Sequence, residues 1–99
     1  MALQISVDHK KIERFCREHY IDKLAFFGSV LGDKFSSDSD IDVLVFFDPA
    51  HIPGLFGLSR MELELSEILG RKADLRTPND LSVLFRDKVV AGAEVEYAA

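Results

Sequence analysis

The sequence predicts an α/β (α+β) fold, with helices packed on a small mixed β-sheet. Three observations predict it. A short, continuous apolar run, Leu24-Ala25-Phe26-Phe27, and a second stretch, Ile41 to Phe47, apolar but for Asp42, have the length of buried strands. They alternate with stretches whose apolar residues recur at helical spacing, an order that layers helices on a sheet. The composition, 47% hydrophobic and 29% charged over 99 residues, is that of a folded globular chain and excludes disordered, fibrous and collagen-like classes.

Each element has a local reason. A first helix is expected from about Ser6 to Tyr20, with Ser6 as its N-cap and Ile12, Phe15, Cys16 and Tyr20 on one face. Cys16 and His19 stand three apart and suggest a ligand or catalytic pair. With no second cysteine available, Cys16 reads better as a small buried hydrophobe and His19 as a surface residue. Leu24–Phe27 is the first strand and runs into a tight turn at Gly28-Ser29. Val30 to Asp33 suggests one helical turn, and Lys34 to Ser39 a polar loop. Ile41–Phe47 is the second strand, closed by Asp48-Pro49, and Pro53 to Gly57 reads as a loop. Leu58, Met61, Leu65, Ile68 and Leu69 form an apolar stripe on a helix from about Leu55 to Leu69, which Gly70 stops. Ala73–Thr77 is a third strand ended by Pro78. Asn79 or Asp80 caps a last helix reaching about Ala91, and Glu94-Val95-Glu96-Tyr97 alternates like an edge strand.

One domain spanning residues 1–99 is expected, since a chain of this size supports a single core and no second substrate-gripping domain. The longest apolar run, Val43 to Phe47, falls far short of the ~20 residues that span a membrane. Met-Ala-Leu-Gln-Ile lacks the basic flank and apolar stretch of a secretory signal, and one cysteine makes no internal disulfide; both point to the cytoplasm. A net charge of −5 disfavours direct binding to nucleic acid or to an anionic membrane.

The chemistry concentrates between Gly28 and Val45. Strand side chains alternate between faces, so Asp40 and Asp42 point the same way, with Cα atoms ~6–7 Å apart. Two carboxylates at the mouth of an apolar strand repel and lose hydration, an arrangement a hard divalent cation would favour. Asp74, between Ala73 and Leu75, can project from the third strand toward the same pocket. Three converging carboxylates suit a two-metal phosphoryl or nucleotidyl transfer site, with ions ~3.5–4 Å apart. Gly28 lets backbone approach a ligand closely, and the N–H groups of the following turn, with the Ser29 hydroxyl, favour phosphate oxygens. Asp38-Ser39-Asp40 alone would read as a solvated turn with side-chain-to-backbone hydrogen bonds. Asp42 inside an apolar strand, eleven residues or more after a Gly-Ser turn that itself ends a buried strand, resists that reading.

Gly28-Ser29 followed by Ser39-Asp40-Ile41-Asp42-Val43-Leu44-Val45 resembles the signature of the DNA polymerase β-type nucleotidyltransferase superfamily. The short length is similar to its minimal nucleotidyltransferases, the MNT or MntA-like antitoxins. The resemblance covers about Leu24 to Thr77 well. It implies a polymerase β-like fold, Gly28 and Ser29 as nucleotide-binding residues, and Asp40, Asp42 and Asp74 as catalytic, Mg²⁺-binding residues, with Lys72-Ala73-Asp74-Leu75 as the segment of the third carboxylate. Many relatives continue Gly-Ser-x-Ala-Arg-Gly, whereas this chain has Val30, Leu31, Gly32 and Asp33. The basic residue is missing at position 32, and Lys34, Lys72 or Arg76 are the candidates to replace it.

The resemblance further implies transfer of AMP from ATP, with Mg²⁺, to a protein hydroxyl: a tyrosine of a HEPN-domain toxin for which this chain is the antitoxin. The rivals are an antitoxin acting by contact alone, a small-molecule nucleotidyltransferase and, more weakly, RNA-terminal transfer. Homo-oligomerisation is left open. The apolar residues of Pro53–Leu58, with Phe46 and Phe47 close in sequence, are in the main core candidates; any exposed remainder is expected beside the active-site mouth, where it would dock the acceptor protein.

Overall fold

In the computed structural model, which describes residues 5–32, 35, 36 and 38–99, the chain folds as three helices and one four-stranded mixed sheet. The elements are α1 (His9–Glu18), β1 (Ile21–Phe27), β2 (Ile41–Phe47), α2 (Leu55–Leu69), β3 (Ala73–Arg76), α3 (Arg86–Gly92) and β4 (Glu94–Ala98). The strand order is β3-β2-β1-β4. β1 is antiparallel to β2 and β4, and β2 is parallel to β3 through the α2 crossover.

The sheet has a thick side and a thin side. Leu24, Phe26, Ile41, Val43 and Val45 face α1 and α2, where Ile12, Phe15, Cys16, Met61 and Leu65 complete one buried core. Cys16 is a fully buried core residue, and burial pushes its thiol up to about 12, so it is not a nucleophile at neutral pH. Ala25 and Leu44 are buried on the other face. There the Pro78–Asp80 turn packs on β2, and α3 packs on that turn.

Several boundaries differ from the sequence expectation. Asp8, not Ser6, caps α1: its carboxylate accepts from the N–H groups of Lys10 and Lys11. β1 begins at Ile21, because Ile21 pairs with β2 and the polar Lys23 pairs with both β2 and β4, with Asp22 in a bulge between them. Asn79 and Asp80 belong to a short 3₁₀ turn capped by Thr77 and Asp80, and α3 starts only at Arg86. α2 and β4 form where expected.

β3 is an edge strand, and α2 covers its outward N–H groups with side chains. Ser66 Oγ accepts from Ala73 N–H at 2.9 Å and donates to the Glu62 carbonyl at 2.7 Å. The Glu62 carboxylate accepts from Leu75 N–H at 2.8 Å. These bonds protect an edge that would otherwise offer itself to another strand. They also fix Asp74, the residue between the two capped positions. Glu62→Ala is expected to lower stability by about 1–3 kcal/mol, the cost of stranding a part-buried N–H, with Glu62→Gln retaining most of it. Chemical denaturation of the two variants checks this.

Candidate active site

Pairing carries the candidate residues to one end of the sheet. Phe27 lies opposite Asp42 in the β1–β2 ladder, so Gly28 follows directly beside the Asp42 side chain. Asp42 is in turn the register partner of Asp74 in the β2–β3 ladder, which sets the two carboxylates side by side on the thin face. The Ile41 N–H donates to the Lys72 carbonyl at 2.9 Å and closes this end of the ladder.

Gly28 takes φ +77°, a conformation that side chains other than glycine's rarely adopt. The space a Cβ would occupy is already filled, since it would lie 2.3 Å from Asp42 Oδ2. The residue therefore admits a carboxylate against backbone. The turn that follows is a single four-residue 3₁₀ turn, Gly28–Leu31, closed by Gly32 N–H donating to the Ser29 carbonyl at 3.0 Å. It starts two residues earlier than the helical turn expected at Val30–Asp33.

The three carboxylates differ in their partners. Asp40 lies 3.7 Å from Lys72 Nζ, and Asp74 accepts from Arg76 at 3.0 Å. Asp42, between them and half-buried, has no paired cation among the described residues. Loss of hydration raises its pKa above the usual carboxylate range, the charges of Asp74 and Asp40 raise it further, and Arg76 partly opposes the shift. The outer two carboxylates turn to their cations, so no group of three oxygens, one from each aspartate, closes to within 4.8 Å. Among the described residues Glu18, His19 and Glu64 do close to that distance, but His19 Nε2 already hydrogen-bonds Glu64 at 2.7 Å. His19 is thus half-buried and bonded rather than a bare surface histidine.

Two of the cations proposed to replace the missing basic residue, Lys72 and Arg76, are accordingly engaged by aspartates; Lys34 lies outside the described residues, as does Asp33. Sequence reading overlooked Arg71. Its guanidinium donates to the carbonyls of Ser36 and, at 2.8 Å, Ser39, and covers the Phe35 ring at 4.3 Å. It ties down the loop that delivers Asp40. The contacts span more than 30 residues of sequence, so no local motif announces them.

The Pro53–Leu58 segment is not beside this site. β2 leads away from Asp42, and α2 begins only after the far end of that strand, roughly 17 Å along it. Phe56 is 87% exposed there, so it is neither core nor at the mouth.

Gly28→Ala is expected to destabilise the fold through both its backbone conformation and its clash with Asp42, by about 1–3 kcal/mol in total. In an Asp42→Ala background the clash is gone and the cost should fall to the backbone part alone. A double-mutant cycle by chemical denaturation measures the difference.

A family model described as a nucleotidyltransferase domain matches residues 9–95. A Methanocaldococcus jannaschii protein assigned as the protein adenylyltransferase MJ0435 is 31% identical over 88 residues, which is 89% of this chain and 92% of that protein. A solved structure described as a minimal nucleotidyltransferase superposes with a TM-score of 0.71 at 28% identity, over 86% of this chain and 85% of that one. A Shewanella oneidensis complex, a tri-AMPylated HEPN toxin with an MNT antitoxin, shares the fold, with a TM-score of 0.64 at 20% identity over 92% of this chain and 70% of the other. The match over most of the chain agrees with the Gly-Ser turn set against paired aspartates: the chain belongs to the nucleotidyltransferase domain family, as a minimal nucleotidyltransferase of the polymerase β-like fold.

Proposed function

We propose that this enzyme transfers AMP from ATP to a hydroxyl of a partner protein, using Mg²⁺ held by Asp40, Asp42 and Asp74. The observation that carries the reading is the contact between Gly28 and Asp42, which sets a backbone turn suited to phosphate against a carboxylate suited to a cation. The donor set fits magnesium. It is all carboxylate oxygen, and Asp42 is a part-buried carboxylate with no paired cation among the described residues. Bound there, the ion would neutralise phosphate charge and activate the attacking oxygen.

The chain's own residues do the rest by positioning. Backbone N–H groups of the Gly28–Leu31 turn and the Ser29 hydroxyl receive phosphate oxygens. An acceptor hydroxyl oxygen forms a bond to the α-phosphorus as the bond to pyrophosphate breaks. Asp74, with one oxygen drawn to Arg76, would orient the acceptor and take its proton through the other. For the acceptor, the AMPylated HEPN toxin of the Shewanella complex supports a HEPN-type partner, with this chain as its antitoxin; a tyrosine hydroxyl is the acceptor the family resemblance implies. Mass spectrometry of a co-purified partner incubated with ATP and Mg²⁺ tests the reading. Addition of AMP supports it; a partner left unmodified, or changed by phosphate alone, contradicts it.

Asp42→Asn should reduce transfer by on the order of a hundredfold or more, since each loss of about 1.4 kcal/mol of charge stabilisation costs tenfold in rate. Its effect on stability should have the opposite sign. A carboxyl whose pKa is raised in the fold loses stability as pH rises through that pKa, so ionised Asp42 burdens the native state at neutral pH. With divalent cations chelated, Asn should raise the melting temperature at pH 7. The gain should vanish near pH 3, where the carboxyl is largely protonated in both states. Melts at the two pH values check the sign.

A further inference from the structure

A triphosphate brings more negative charge than an ion held by the aspartates and the N–H groups of the Gly28 turn would answer, and most cations around the site are occupied. Lys72 and Arg76 sit on aspartates, Arg71 holds the Ser36 and Ser39 carbonyls, and Arg86 holds those of Pro78 and Leu81. Lys88 differs. It is exposed on α3, has no carboxylate within ion-pair distance among the described residues, and lines an open cavity of about 360 Å³ together with Gly28. Phe27, Leu31, Val89 and Gly92 complete the walls, so the ammonium is the charged group in an otherwise apolar lining.

The sheet order gives this cavity its direction. The aspartates lie on β2 and β3, whereas α3 leads into β4, on the opposite side of β1. Gly28, at the end of β1, stands between them. A polyphosphate that meets the carboxylates at one end and crosses the Gly28 turn arrives at Lys88. We propose that this cavity is the outer part of the nucleotide site and that Lys88 binds the β- and γ-phosphates of ATP. The assignment rests on the nucleotidyl-transfer reading and adds to it a substrate-binding residue from the last helix. As the bond between the α-phosphorus and pyrophosphate breaks, charge builds on the leaving pyrophosphate, and an ammonium fixed beside it stabilises that charge.

Calorimetric titration of the full chain with ATP and with AMP, each with Mg²⁺, tests the proposal. Lys88→Met should weaken ATP binding about tenfold or more, the usual scale for losing a charged hydrogen-bond partner, and leave AMP binding unchanged. Lys88→Arg should recover most of the ATP affinity, and Asp87→Asn, a neighbouring charge change on the same helix, should alter neither. ATP affinity equal in wild type and Lys88→Met overturns the assignment and leaves the transfer site standing. Parallel loss for ATP and AMP also overturns it, since terminal phosphates are then not what Lys88 meets. A wild-type chain that binds no ATP overturns the nucleotide site and the assignment with it.

Discussion

The register of β2 between its two neighbours governs everything at the candidate site. Ile41, Val43 and Val45 point into the α1–α2 core, so the residues between them must point to the thin face. A slip of one residue would bury Asp42 and expel Val43, at a cost of several kcal/mol for the hydrophobic side chains and more for the charge. The core thereby dictates which face carries the carboxylate. The same register sets Phe27, and after it Gly28, opposite Asp42, and puts Asp74 beside it on the parallel side. The stability of the apolar layer and the placement of the chemistry are one constraint.

The electrostatics follow from that placement. Three carboxylates gathered at one sheet end repel, and the chain interleaves cations among them: Lys72 near Asp40 and Arg76 on Asp74. Both pairs are well exposed to solvent, and such pairs contribute about 0–1 kcal/mol. A divalent cation offers the same carboxylates far more, and each pair engages one oxygen, leaving the other for the ion. Asp42, less hydrated and without a paired cation, has the most to gain from one. Longer-range hydrogen bonds give the cluster its stiffness. Arg71 holds the loop before Asp40, and Ser66 and Glu62 hold the strand on either side of Asp74.

Much of the architecture was legible because its causes are local. Apolar stretches marked β1 and β2, a helical stripe with a glycine stop marked α2, and Asp42 stood out as a charge inside an apolar strand. Gly28, Asp42 and Asp74 were expected near one another, and strand pairing sets them side by side. What escaped reading depends on partners distant in sequence. Lys23 joins β1 only because two strands pair with it, and Asp22 is carried along in the bulge before it. Arg71, Glu62 and Ser66 look like ordinary surface residues until the crossover brings them to β3 and the Asp40 loop. The Pro53–Leu58 segment follows β2 closely in sequence, yet strand direction places it at the opposite end from Asp42. Proximity along the chain is a poor guide wherever a strand intervenes.

The central claim is that the aspartates and the Gly28 turn act together on the α-phosphate. Its most direct test is to supply ATP labelled at either the α- or the γ-phosphate, with Mg²⁺, to the chain and the proteins that co-purify with it. The account predicts that a partner protein gains the α label and not the γ label, and that Asp42→Asn abolishes the gain. Transfer of the γ label, or α-labelling undiminished by Asp42→Asn, would contradict it.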